Sequence, residues 1–150
     1  MKFRMVDRIL TWHDRENICG VKTVSFEEYN LKAPMGDVPH LPETLLTESM
    51  FQLGNWLIML SSDFTQMGLL VRMQRVEFND MLLPGESLQL EVEVRSWRED
   101  GVVFDGRVWV GQKEIASGTG CLAIPVKLTD YYNPDDMRVL YSEIFIPQEK

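Results

Sequence analysis

The stretch Leu41-Pro42-Glu43-Thr44-Leu45-Leu46-Thr47-Glu48-Ser49-Met50-Phe51-Gln52-Leu53-Gly54-Asn55-Trp56-Leu57-Ile58-Met59-Leu60 decides the fold. Leu45, Leu46, Ser49, Met50, Leu53, Trp56, Leu57 and Leu60 recur at helical spacing and predict one long helix over about Pro42 to Leu60. Pro42 suits a first helical position, where its missing N–H costs nothing, and Glu43 complements the positive end of the helix dipole. At ~1.5 Å per residue such a helix is roughly 28 Å long, enough to cross a small domain. Its apolar residues are not confined to one stripe, so other elements are expected to wrap it.

Working outward, Ala33 to Pro42 holds Pro34, Gly36, Pro39 and Pro42, which rules out regular structure and predicts an ordered loop. Before it, Trp12 to Asn17 is polar and turn-like, and Ile18 to Val24 reads as a strand. Phe3 to Leu10 is too short and mixed to assign. After the helix, Leu69 to Phe78 is a mixed run and Pro84-Gly85 a turn. Leu88, Leu90, Val92 and Val94 alternate with polar residues, as in a half-buried strand. Glu99-Asp100-Gly101 turns the chain into Val102 to Val110, where Gly106 marks a bulge or a close approach. Gly111-Gln112 turns it again into Ile115 to Ile124, completing an antiparallel meander. Pro125 to Lys150 carries Tyr131, Tyr132, Tyr141, Phe145 and Ile146 without a clear period. The order of strand, loop, enclosed helix and meander predicts one α+β domain over residues 1–150.

Composition narrows the function classes. The 15 Lys and Arg against 23 Asp and Glu give a net charge of −8, which argues against a nucleic-acid grip. Hydrophobic residues at 45% and charged residues at 25% exclude wholesale disorder. Cys19 and Cys121 are too few for a disulfide framework; each sits in an apolar run and reads as a buried free thiol, with one bridge as the alternative. Met1 to Arg8 meets charge before any long apolar stretch, so no signal peptide is expected. The most apolar window, Leu53 to Leu60, is well short of the ~20 residues of a membrane span. The expectation is a cytoplasmic protein.

Among residues that carry chemistry, Glu48 stands out because it interrupts an apolar helix. With Gln52 and Asn55 it forms one polar stripe at i, i+4 and i+7. Periodicity alone leaves two readings, a solvated helix face and a carboxylate facing a cavity, and favours the first. His13 lies in a polar turn and reads as a surface residue. His40 precedes the helix by two residues, near enough for a site beside its N-terminus. No metal-ligand spacing, Cys-x-x-Cys pair or phosphate loop is present, so neither a metal nor a cofactor is expected.

Four blocks together resemble the β-hydroxyacyl-acyl-carrier-protein dehydratases of the FabA/FabZ type. Val6-Asp7-Arg8-Ile9-Leu10 is similar to that family's opening Val-Asp-Arg-Val/Ile-Leu, and Ile18 to Val24 to its next strand, with Lys22 at a familiar place. Leu41 to Gln52 resembles Met-Pro-Gly-Val-Leu-x-x-Glu-Ala-Met-Ala-Gln, and Phe78 with Leu83-Pro84-Gly85-Glu86-Ser87-Leu88 resembles Phe followed by Val-Pro-Gly-Asp-x-Leu. The resemblance covers about residues 3–124 and leaves 125–150 as an extension.

The resemblance implies a hotdog fold, an antiparallel sheet around one central helix, assembled as a homodimer or larger homo-oligomer. It implies an acyl thioester as ligand, carried on acyl carrier protein or CoA, and a hydro-lyase reaction in fatty-acid or related lipid metabolism. Glu48 falls on the family's catalytic carboxylate and Gln52 on the accompanying glutamine. The carboxylate works there with a histidine from the partner subunit's Gly-His-Phe-Pro loop, which handles the proton at C2 while the carboxylate helps the C3 hydroxyl leave.

Here the sequence departs from the family. Ungapped counting forward from Val6-Asp7-Arg8 and backward from Glu48 both put Gly-His-Phe-Pro on Ala33-Pro34-Met35-Gly36. Pro34, which has no titratable group, stands where the base belongs. His40 is a candidate substitute base, and Asp37 a second one if the loop is slid, but a loss or change of chemistry is the leading expectation. Glu43 replaces the glycine at the helix start, where a carboxylate disfavours a developing oxyanion. Pro34, Met35, Gly36, Pro42 and Asn55 are the expected substrate contacts. Two further readings stand beside the dehydratase: a non-catalytic acyl-binding or partner subunit of a hotdog complex, and a hotdog acyl-CoA thioesterase in which Glu48 activates water. An acidic carrier protein would need a local basic patch, for which Arg4, Arg8, Arg72 and Arg75 are the candidates.

Overall fold

The computed structural model describes residues 4–26 and 38–147. Seven strands, β1 (Arg8–His13), β2 (Asn17–Thr23), β3 (Gln66–Arg72), β4 (Arg75–Phe78), β5 (Ser87–Arg98), β6 (Gly101–Val110) and β7 (Lys113–Lys127), form one antiparallel sheet. The path runs β1-β2-β5-β6-β7-β3, with β4 paired to β7 beside β3. The long helix α1 (Glu43–Ser61) packs on β2, β3, β5, β6 and β7. This is the hotdog arrangement, an α+β fold with a sheet curled around one helix.

The sheet's inner face is built by alternation. Leu88, Leu90 and Val92 of β5 and Val102, Phe104 and Val108 of β6 are buried, while their neighbours face outward. Each buried aliphatic or aromatic side chain contributes ~1.5–3 kcal/mol, so this face and α1 together supply the driving force for the fold. Glycine sets how close the helix lies: a Cβ on Gly106 would stand 2.8 Å from the Met50 sulfur. Gly106 pairs with Gly118, and the register shifts between Phe104 and Gly106, so both the expected bulge and the expected close approach occur there. Ser49 and Thr47, polar yet buried, donate their hydroxyls to the Leu45 and Glu43 carbonyls one turn back.

Three expectations need correction. Pro42 is the N-cap residue of α1, with extended backbone, and the first helical residue is Glu43. Trp12 and His13 belong to β1 rather than to a turn, because β2 supplies a hydrogen-bonding partner across Trp12↔Ile18 and His13↔Asn17. The stretch after Pro125 is ordered secondary structure: β7 continues to Lys127, a 3-10 turn spans Leu128–Asp130 and helix α2 spans Pro134–Ile144. Asn133 caps α2 by accepting from the Asp135 N–H at 2.9 Å, Pro134 opens it, and Asp135 and Asp136 face its positive end.

Helix α2 packs back on the far end of α1. Tyr141 stacks on Phe145 at 5.1 Å and lies 6.3 Å from both Trp56 and Phe64; its hydroxyl accepts from the Trp12 indole N–H at 3.1 Å. Asp63 and Phe64 leave α1 in the left-handed region, at φ 51° and 59°, a conformation that costs non-glycine residues ~1–2 kcal/mol each. Arg138 holds that turn, donating to the Asp63 carbonyl at 3.0 Å and lying 5.1 Å over the Phe64 ring. Cys19 and Cys121 are free thiols. No helix among the described residues is long and apolar enough to cross a membrane.

Candidate functional site

Glu48, Gln52 and Asn55 emerge on one face of α1 and line a hollow of about 170 Å³ that is open to solvent on one side. Phe51 and Ile58 complete the helical wall. Gly68, Leu69 and Leu70 of β3, Phe104 of β6 and Ala123 of β7 form the opposite wall. The half-buried Glu48 therefore lines a hollow beside β3, β6 and β7 rather than an open stretch of helix.

Gln52 organises the polar end. Its amide Nε2 donates to Glu48 Oε1 at 2.9 Å, while its Oε1 accepts from the Met5 backbone N–H at 2.7 Å. Fixing the amide from the N-terminal segment fixes which way it presents its donor, and so where the carboxylate points. Asn55 acts differently: its Oδ1 accepts from the Gly68 N–H at 2.9 Å, joining α1 to β3 across the cavity. The arrangement offers a positioned proton acceptor beside an apolar slot, the combination by which an organic ligand with one polar end is oriented.

His40 is not brought to this cavity within the chain. Its Nδ1–H donates to the Val38 carbonyl at 2.9 Å, and Nε2 lies 3.7 Å from Glu43 Oε1. The engaged Nδ1 leaves Nε2 as the nitrogen able to accept a proton. Pro42, at the helix start, does not line the cavity either. Pro34, Met35, Gly36 and Asp37 lie outside the described residues. His13, at the end of β1, shares a hydrogen bond with Asn17 at 2.9 Å on the surface, so it is the expected surface residue although it lies in a strand.

Of the proposed basic patch, Arg75 is paired with Glu77 and Arg4 approaches Glu143 at 4.0 Å. Arg8 sits on β1 and Arg72 on β3, the two ends of the strand path. A second, larger hollow of about 270 Å³ lies over Asn17, Cys19, Glu91, Val92, Glu93, Asp105 and Arg107. Three carboxylates line it, and Asp105 is already held by Arg95 at 2.7 Å and by the Gly120 N–H at 3.0 Å. Among the described residues no cluster of His, Cys, Asp and Glu could hold a metal ion. The smaller cavity is the better candidate because Glu48 and Gln52, joined by a hydrogen bond, meet there beside an apolar wall.

Sequence reasoning found the polar stripe and missed the walls. Gly68, Leu69, Leu70, Phe104 and Ala123 come from three strands, and no local pattern links them. Gly68 carried the nearest signal, a glycine inside an apolar run. It is required by space, since a Cβ there would stand 2.6 Å from Ile58 Cδ1.

Comparison with known proteins bears on the family and the fold. The FabA-like domain family matches residues 1–119. The 3-hydroxyacyl-[acyl-carrier-protein] dehydratase FabZ of Oleidesulfovibrio alaskensis is 31% identical over 115 residues, covering 71% of this chain and 75% of that protein. FabZ of Koribacter versatilis is 27% identical over 124 residues, covering 81% and 80%. Among solved structures, a mutant of the fluoroacetyl-CoA-specific thioesterase FlK superposes with a TM-score of 0.65 at 14% identity, covering 87% of this chain and 98% of that one. The smu.793 protein of Streptococcus mutans, bound to acetyl CoA, gives 0.64 at 10% identity, covering 80% and 88%. At such identities the structural neighbours establish the hotdog fold and the sequence relatives establish the kinship. The chain belongs to the FabA-like domain family, as a FabZ-like hotdog protein.

Proposed function

We propose that this protein binds 3-hydroxyacyl thioesters in the cavity between α1 and β3, as a cytoplasmic dehydratase-like protein of fatty-acid or related lipid metabolism. The observation that carries the reading is Glu48, held by Gln52 at one end of an apolar slot. Glu48 would face the C3 hydroxyl and Gln52 would keep its carboxylate aimed. The FabZ relatives support the thioester class.

A homodimer fits the exposed apolar groups. β3 ends the strand path, and Leu69 and Val71 of β3 with Ile124 of β7 are solvent-facing. An uncovered apolar edge strand is an aggregation liability, and pairing with a second copy removes it. By the family resemblance, a base would come from the partner subunit, so the site would be completed only in the dimer.

Pro34 shapes the expected activity. A positioned general base is worth ~10²–10⁴-fold, and proline cannot serve as one. The wild-type protein is therefore expected to bind the substrate and dehydrate it slowly. Pro34→His should raise dehydration of a 3-hydroxyacyl thioester by ~10²–10⁴-fold, and Glu48→Gln in that background should remove the gain. Wild-type turnover as fast as that of Pro34→His would show that another group, with His40 first in line, supplies the base. The same missing base favours a second reading, a non-catalytic acyl-binding subunit paired with an active relative. Native mass spectrometry that finds neither bound acyl groups nor a heteromer would dismiss it.

A further inference from the structure

We propose that Asp7 is a positioning residue for Glu48: it docks residues 4–6 against α1 so that the Met5 N–H holds Gln52, and Gln52 holds the carboxylate. The proposal rests on the dehydratase-like reading of the Glu48 site and deepens it by naming what keeps the carboxylate in place.

The chain of bonds from the N-terminal segment to the carboxylate is continuous. Gln52 Oε1 accepts from the Met5 N–H at 2.7 Å, and Nε2 donates to Glu48 Oε1 at 2.9 Å. A glutamine amide fits the same space turned either way, whereas a backbone N–H can only donate. Met5 therefore settles the choice, with oxygen toward the N-terminal segment and nitrogen toward the carboxylate. Turned over, the amide would set oxygen against oxygen at Glu48.

Asp7 is what brings Met5 there. β1 begins at Arg8, and residues 4–6 lie outside the strand ladder. At the point of departure the Asp7 N–H still bonds the Val21 carbonyl at 2.8 Å, while its carboxylate Oδ2 accepts the Thr23 N–H at 2.7 Å. A side-chain acceptor thus replaces the main-chain carbonyl that a continuing strand would supply. The backbone is released toward α1 without leaving Thr23 unpaired. Lys22, only 7% exposed, lies 3.5 Å from Asp7 Oδ1 and anchors the same carboxylate. The released segment is packed: Met5 and Val6 are buried, and Val6 Cγ1 and Leu53 Cδ1 lie 3.5 and 3.0 Å from where a Gly20 Cβ would stand. Burial fixes how deep the segment lies, and the two Asp7 bonds fix its register along β2. The Met5 bond to Gln52 does not survive a slip of about 1 Å. Asp7 does not line the hollow, so it acts through Met5 and Gln52 rather than on a ligand.

The test reads the Gln52 side-chain amide by nuclear magnetic resonance, with the Asn55 amide, fixed separately by the Gly68 N–H, as internal reference. In Asp7→Ala the Gln52 resonances should move to those of a freely rotating glutamine while those of Asn55 stay. Asp7→Asn, which keeps an oxygen for Thr23, should leave both at their wild-type positions. In a Pro34→His background, Asp7→Ala should lower kcat for a 3-hydroxyacyl pantetheine thioester on the order of tenfold, with KM within about twofold, because a misaimed group loses rate rather than binding. Asp7→Asn should restore that rate. If Asp7→Ala fails to fold, an ester in place of the Met5 amide removes only the N–H and carries the same two expectations. Such a protein is made by joining synthetic residues 1–18 to residues 19–150 at Cys19. Gln52 resonances unmoved in a folded Asp7→Ala or ester protein, equal shifts in Asp7→Ala and Asp7→Asn, or a moved amide with unchanged kcat would each overturn the proposal. Absence of turnover by Pro34→His itself would instead refute the dehydratase-like reading, and the positioning role with it.

Discussion

Gly54→Ala sets two known effects against each other at the centre of the helix. Replacing an interior helical glycine by alanine ordinarily stabilises by ~1 kcal/mol, since Ala loses less backbone entropy. At this position the new Cβ would meet Phe104 at 2.8 Å from Cζ, 3.1 Å from Cε2 and 3.2 Å from Cε1. The contact is with a rigid ring, and Phe104 is only 2% exposed, so no flexible tail can swing clear. Overpacking of a core costs ~1–3 kcal/mol, which exceeds the propensity gain. The net expectation is a loss on the order of 1 kcal/mol, or a Tm lower by ~2–4 °C for a chain of this size. Thermal melts of wild type and variant at one fixed protein concentration read the sign directly. A double-mutant cycle sharpens it: with Phe104→Leu already present, the ring is gone and Gly54→Ala should become neutral or stabilising. A Gly54→Ala protein that melts above wild type, or a cycle with no coupling, would refute the claim that ring contact sets the spacing between α1 and β6.

Packing and burial elsewhere in the fold have further consequences. Tyr141→Ala removes ring contacts with Trp56, Phe64 and Phe145 together with the Trp12 bond, and should lower urea stability by ~2–4 kcal/mol; Tyr141→Phe, losing only the hydroxyl, should lower it by ~1 kcal/mol. Burial pushes the Cys121 thiol up to about 11 from its ordinary 9.0. The folded state then holds the proton more tightly than the unfolded state, so this contribution is complete below pH 9 and is lost as pH rises toward 11. Wild type should accordingly lose stability more steeply than Cys121→Ala across that interval, as measured by denaturation at a series of pH values.

How far the sequence revealed the molecule depended on whether each pattern was local. The helix α1 and the β5-β6-β7 meander were legible because periods of 3.6 and 2 are carried by consecutive residues, as in Leu88, Leu90 and Val92. β1 was not, since its burial depends on a β2 partner and its own residues alternate only weakly. α2 was hidden by aromatic residues on both flanks, Tyr131 and Tyr132 before it and Phe145 after it. Its signals were nonetheless present: Asn133-Pro134-Asp135-Asp136 is a helix start, and Met137, Leu140, Tyr141 and Ile144 share one face. The Glu48, Gln52 and Asn55 stripe was visible as residue types at helical spacing, but whether it met water or a cavity depended on β3, β6 and β7. Asn55 shows the difference most clearly. Its type and position were legible, whereas its bond to Gly68, thirteen residues on, exists only once β3 has folded back along the helix.

The proposed function requires an acyl thioester to lie along α1 beside Glu48 and Gln52. The most direct measurement is a crystal structure of the protein with 3-hydroxyhexanoyl pantetheine, whose slow turnover in the wild type is itself expected. The predicted result is density with the C3 hydroxyl within hydrogen-bond distance of the Glu48 carboxylate and the acyl chain in the hollow between α1 and β3. An acyl chain seated in the outer hollow over Cys19 and Glu91, or an empty α1–β3 slot at saturating ligand, would contradict it.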